Sequence, residues 1–207
     1  MHEIFTDMAK GLNSQGDLAE VVSTFLTQRG FPNTVGHSRQ VAETAEKLAL
    51  HFGADPLKAG QAGWLHDVSV VFLNSQRVEI ARALGIILLP EEEQSPILIH
   101  QQLSAVMAHE LFGIQDAGVL SAIGCHTTLK AQAALLDKVL FVADKISWDQ
   151  VGNPPYIEEI RATAEISLDK AALIYIRSVV ERRENLAETL HPWLLAALQE
   201  LSRKESA

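Results

Sequence analysis

Apolar residues recur along this chain at spacings of three and four, interrupted by proline and glycine, and nowhere alternate convincingly with period two. Positions three, four and seven apart share one face of a helix, so the pattern predicts an all-α fold of about nine or ten packed helices. Asp17-Leu18-Ala19-Glu20 reads as a capping box, with Gly30 as the stop of the helix it opens. A second helix is expected from about Thr34 to Phe52, with Val41, Ala45, Leu48 and Phe52 on its apolar face and Gly53 behind it. Asp55-Pro56, a cap followed by a first-turn proline, opens a third that ends at His66-Asp67.

A shorter helix follows Ser75 and closes at Gly85, and Ile86 to Gln94 reads as an irregular connection. Ser95-Pro96 is read as cap and first turn of a helix through Phe112, and Asp116 as the cap of the next. From Ala131 to Trp148 the chain is apolar nearly all round, which implies a central helix. Pro154-Pro155 precedes a helix holding Ile157 and Ile160, Ser167 caps a long one through Arg183, and His191-Pro192 leads into the last. No internal repeat, low-complexity tract or linker divides the chain, so residues 1–207 are expected to form a single domain.

Composition changes this picture little: 207 residues, 47% hydrophobic and 21% charged, are enough for one substantial core. Charge changes it more. A formal net charge of -9, with no Lys/Arg run before Arg182-Arg183, argues against polymeric nucleic acid or an anionic membrane as partner. A small phosphorylated ligand stays open, because a metal ion can supply positive charge. The lone Cys125 excludes an intrachain disulfide. The first residues lack a basic segment followed by an apolar one, and no uncharged run reaches the length of a membrane span, so the expected location is the cytoplasm.

The candidate chemistry lies where ionisable groups fall on apolar faces. His66 and Asp67 sit side by side at the end of Gly63-Trp64-Leu65, where an unpartnered charge costs several kcal/mol. His37 shares a face with Val41 and Ala45; His100 with Leu103, Met107 and Leu111; His126 with Val119 and Ile123; Asp144 with Leu136 and Leu140. His109 falls about half a turn from His100 and is expected at the surface, and His2, His51 and His191 are given no role. Each inward group alone reads as a satisfied core residue. Together they leave several buried groups needing partners, which one octahedral ion or two neighbouring ions would satisfy. Iron, manganese, cobalt, nickel and zinc suit such a nitrogen and oxygen set.

His37, His66-Asp67, His100, His126-Thr127-Thr128 and Val142-Ala143-Asp144-Lys145, in this order, resemble the HD-domain metal-dependent phosphohydrolases. Within them they are similar to the YqeK-type branch, which splits diadenosine tetraphosphate symmetrically into two ADP. The likeness runs from about Thr34 to Ala172 and implies an HD core at about 34–150 with flanking N- and C-terminal helices. It implies two divalent ions, iron foremost with magnesium added to the alternatives, held by His37, His66, Asp67, His100, His126 and Asp144. Asp67 would bridge them and serve as the catalytic carboxylate, and a metal-activated water would attack a nucleotide or dinucleoside polyphosphate. Lys130, Lys145 and Thr127 would contact substrate, though a solvated lysine is an equal reading for either lysine. The alternative function is an HD module that keeps the metal and binds a nucleotide or phosphate without turnover. Thr34, Val70 and Gln150 stand where the branch carries basic residues, and Leu129 where it carries glycine. The neutral positions imply a changed or smaller substrate, or weaker activity on the branch's own.

Overall fold

The computed structural model describes residues 1–12, 16–148, 152, 154–185 and 190–206, with the side chains of 183–185 set apart. Asp149 and Gln150 lie outside them. Twelve α-helices occur among the described residues, joined by three short 3-10 turns, and no strand. In chain order they are α1 (Thr6–Ala9), α2 (Leu18–Gln28), α3 (Pro32–Phe52), α4 (Pro56–Leu65), α5 (Asn74–Ala83) and α6 (Pro90–Gln94). There follow α7 (His100–Glu110), α8 (Ala117–Cys125), α9 (Leu135–Ile146), α10 (Ile157–Ala164), α11 (Leu168–Asn185) and α12 (Pro192–Glu205). The all-α expectation holds, and the count exceeds nine or ten by the short helices α1 and α6.

Local chemistry explains most boundaries. Asp17 accepts from Glu20 N, Asp55 from Leu57 N and Lys58 N, and Asp116 from Gly118 N and Val119 N, each satisfying amides that a helix start leaves bare. Helix α3 starts two residues earlier than Thr34, because Pro32 suits the first turn. Ser95 makes no side-chain cap, and Pro96–Ile99 winds as a 3-10 turn before α7 begins at His100. The expected irregular connection contains α6, closed at its start by Glu92, whose carboxylate accepts from Leu89 N at 2.8 Å.

Helix α3 lies against α4 and α9; α8 packs on α7, α9 and α4; α11 covers α9 and meets α10 and α12. The core these faces share includes Val41 and Ala45 of α3, Ala62 and Leu65 of α4, Leu103 and Met107 of α7, Val119 and Ile123 of α8, and Val139 to Ala143 of α9. Helix α9 is thus central, as its near-continuous apolar run implies. No helix among the described residues is long and apolar enough to cross a membrane.

His191 departs from its expected lack of role. It is 3% exposed, accepts from Trp193 N at the start of α12, and meets the fully buried Glu92 at 3.2 Å. Gln102 of α7 donates to the same Glu92 carboxylate. One carboxylate therefore ties α6, α7 and the entry to α12 together. Glu92→Ala removes the acceptor for three donors at once and is expected to cost about 1–3 kcal/mol, because buried polar groups left unpaired retain their desolvation penalty. A thermal melt checks it; an unchanged midpoint would mean the network contributes nothing.

Candidate metal centre

The site forms where α3, α4, α7, α8 and α9 meet. Helix α4 stops at Leu65, His66 takes its C-cap position, and Asp67 turns the chain into the 3-10 turn Val68–Val71. That change of path aims two consecutive side chains at the same interior point. Two further contacts hold the turn to α7: Ser69 N donates to Ser104 Oγ at 3.2 Å, and Ser69 Oγ donates to the His100 carbonyl at 2.8 Å. Gln101, fully buried beside His100, accepts from Thr127 N and Thr128 N at 3.1 and 3.3 Å and so registers α7 against the end of α8.

Three of the histidines are hung in one manner. Nδ1 of His66 reaches Gly63 O at 2.7 Å, Nδ1 of His126 reaches Ile123 O at 2.8 Å, and Nδ1 of His100 reaches Ile97 O. A carbonyl only accepts, so each Nδ1 carries the proton and each neutral ring turns a bare Nε2 inward. Burial favours that neutral form, lowering the pKa of His66 and pushing that of His100 down to about 4.

The inward atoms gather in two groups that share Asp67. His37 and His66 bring their Nε2 atoms within 3.2 Å of each other, and Asp144 Oδ1 stands 3.2 Å from the first and 3.6 Å from the second. His100 and His126 bring theirs within 3.0 Å. Asp67 divides its carboxylate between them: Oδ2 lies 3.5 Å from His66 Nε2, while Oδ1 lies 3.4 and 3.5 Å from those of His100 and His126. His37, His66 and Asp67 form one candidate ligand group, and Asp67, His100 and His126 another. Burial alone would raise the Asp67 carboxyl; only in their protonated forms would His66, His126 and His100 hold it far below the usual carboxylate range. At Asp144 burial is likewise outweighed, chiefly by Lys145, then by His37.

The donor chemistry fits divalent cations. The Nε2 lone pairs of His100 and His126 face each other at 3.0 Å and cannot hydrogen-bond to one another, so the pair needs a positive centre. Donor spacings of 3.0–3.6 Å match adjacent ligands on one ion at bond lengths of about 2.0–2.2 Å. The four residues singled out by helical spacing and the adjacent pair His66-Asp67 are thus brought together.

The proposed substrate contacts divide. Thr127 Oγ1 lies 3.0 Å from His100 Nε2, at the edge of the second group. Lys145 Nζ is 2.5 Å from Asp144 Oδ2; burial opposes its charge, but Asp144 holds its pKa well above the ordinary lysine value. Lys130 points elsewhere, donating to Ser121 Oγ at 2.6 Å and pairing with the buried Asp137 at 3.3 Å.

A cavity of about 350 Å³ opens beside the first group, lined by Asn33, Thr34, His37, Asp67, Asp144, Lys145, Ser147, Trp148, Tyr156 and Tyr175. Sequence spacing missed the two tyrosines, Tyr156 at the N-cap of α10 and Tyr175 on α11. It also missed Arg77 of α5, 6% exposed, whose Nη1 donates at 3.3 Å to Ile97 O, the carbonyl that holds His100. Its neighbours in sequence, Gln76 and Val78, give no signal of that burial. Leu129, at the expected glycine position, has φ 55° and is 1% exposed, so the turn keeps the left-handed backbone that glycine would supply.

Paired histidine and aspartate donors at the meeting point of helices define a metal-binding class of helical protein. The chain belongs to the HD domain family, whose model matches residues 34–149. It is a hydrolase of phosphate ester or phosphoanhydride bonds. It is 46% identical over 145 residues, 70% of this chain and 73% of the relative, to the "Uncharacterized protein in pepC 5'region" of Lactococcus lactis subsp. cremoris. It is 30% identical over 192 residues, 91% of this chain and 97% of the relative, to the "Bis(5'-nucleosyl)-tetraphosphatase, symmetrical" of Halalkalibacterium halodurans. Among solved structures it resembles a predicted HD superfamily hydrolase involved in NAD metabolism from Clostridium acetobutylicum, with TM-score 0.84 and 27% identity over 89% of this chain and 97% of that one.

Proposed function

We propose that this protein is a cytoplasmic metal-dependent phosphohydrolase that cleaves dinucleoside polyphosphates, with symmetrical hydrolysis of diadenosine tetraphosphate to two ADP as its specific reaction. The observation that carries the reading is Asp67, whose two oxygens serve separate groups of imidazoles beside a cavity. His37, His66, Asp67 and Asp144 would hold one ion and Asp67, His100 and His126 a second, iron being the metal proposed. Such ions supply positive charge that acidifies an attacking water and neutralises phosphoryl oxygens.

The chain's own residues set the remaining conditions. The Nδ1–H bonds of His66, His100 and His126 keep those rings neutral and oriented, so their basic nitrogens need no reorganisation during reaction. Lys145, the only lysine or arginine among the described residues that line the cavity, neutralises Asp144 and limits the negative charge that an incoming polyphosphate meets. The sequence likeness to a symmetrical tetraphosphatase supports the substrate.

The test is product analysis after supplying Fe(II) or Mn(II) to purified protein. Diadenosine tetraphosphate is expected to yield ADP as the nucleotide product. AMP and ATP in equal amounts would overturn the symmetrical reaction, and no release from any of a panel of nucleotides and dinucleoside polyphosphates would overturn the hydrolase reading.

A further inference from the structure

We infer that the cavity beside Asp67 and Asp144 is a nucleobase site in which Trp148, Tyr156 and Tyr175 recognise the base by stacking. This rests on the phosphohydrolase reading of the centre and adds what selects among its substrates.

The cavity has room for an organic group as well as a phosphate: about 350 Å³ lies within the range of roughly 300–1,000 Å³ that small-ligand sites span. Its lining combines metal donors with three aromatic side chains. Its charges leave little for selection. Asp67 and Asp144 are acceptors only, and Lys145 is already committed, bonded to Asp144 and placed 5.2 and 5.1 Å from the ring centres of Phe141 and Tyr175. An esterifying group is therefore distinguished by its shape and π surface rather than by an ion pair.

The aromatic walls are held by the protein's own contacts. Tyr175 stands edge-on between Phe141, with centroids 5.6 Å apart, and Tyr156, at 5.5 Å. Trp148 donates from Nε1 to Gly152 O at 2.6 Å, which tethers one edge of its indole. Rings oriented before a ligand arrives lose little freedom when a flat base stacks on them. Asn33, Thr34 and Ser147 add hydroxyl and amide groups to the same lining, suited to the polar edges of a base or a ribose.

The test compares diadenosine tetraphosphate with tripolyphosphate, a phosphoanhydride without a base. In Trp148→Leu the ratio of kcat/KM for the first to that for the second is expected to fall about tenfold, the size of one lost stacking contact, with the change carried by KM. Trp148→Phe, which keeps a ring, should fall less, and Tyr156→Leu should move the ratio in the same direction from the neighbouring wall. An unchanged ratio in both leucine variants overturns the inference. If the wild type releases nothing from either compound, the hydrolase reading fails separately. AMP binding, read by calorimetry, then decides the base site: binding weakened about tenfold in Trp148→Leu upholds it, and wild-type protein that does not bind AMP refutes it.

Discussion

Asp67→Ala protein, supplied with Fe(II) or Mn(II), is expected to release ADP from diadenosine tetraphosphate at least about a thousandfold more slowly than wild type, the scale on which losing a central active-site group acts. The loss is large because one carboxylate serves both donor groups. Removing it takes a ligating oxygen from beside His66 Nε2 and, on its other oxygen, from beside those of His100 and His126. Asp67→Asn separates these contributions, because an amide keeps one acceptor oxygen and replaces the other with a donor. It is expected to retain more metal than Asp67→Ala and less than wild type. Metal analysis after gel filtration measures this, and equal phosphate release by wild type and Asp67→Ala would falsify the catalytic role.

The second large effect lies outside the donors. A methyl group added at Gly63 would stand 2.4 Å from Ala42 Cα and 2.7 Å from Ala42 N, backbone atoms that no side-chain rotation can clear. Gly63→Ala must therefore push α3 and α4 apart. His37 lies on α3 five residues before Ala42, and His66 hangs by Nδ1 from the carbonyl of Gly63 itself. The two imidazoles, 3.2 Å apart at Nε2, would be displaced together. We expect a stability loss of about 1–3 kcal/mol from overpacking. Metal affinity should fall roughly 10–100-fold, the range seen when ligand support is disturbed. Gly60→Ala is the control, because its added methyl meets the flexible carboxylate of Glu46. Matching melting temperatures and metal affinities for wild type and Gly63→Ala would show that the close approach is not needed.

What the sequence made legible follows from what a local pattern can encode. Helical spacing reports which way a side chain faces, so the inward turn of His37, His100, His126 and Asp144 was readable, as was the exposure of His109. Spacing does not report which helices touch. That both groups share Asp67 depends on packing among five helices and was available only through family resemblance. Arg77 was illegible because Ile97 and the folded neighbourhood bury it, with no help from its own helix. His191 was misjudged for the same reason: its partner Glu92 lies 99 residues away. The prediction of an irregular stretch before Ser95 failed on a short helix capped by that same glutamate, which a propensity reading treats as solvated charge.

Leu129 carries a different consequence. Its positive φ places a branched side chain in a backbone region that costs on the order of 1–3 kcal/mol. Burying that side chain returns about 1.5–3 kcal/mol. The two terms nearly cancel, so leucine and glycine at this turn are close to interchangeable in energy while the backbone path stays the same. A family signature written as glycine there describes the dihedral angle of the loop behind His126, and a chain can depart from the letter while keeping the angle.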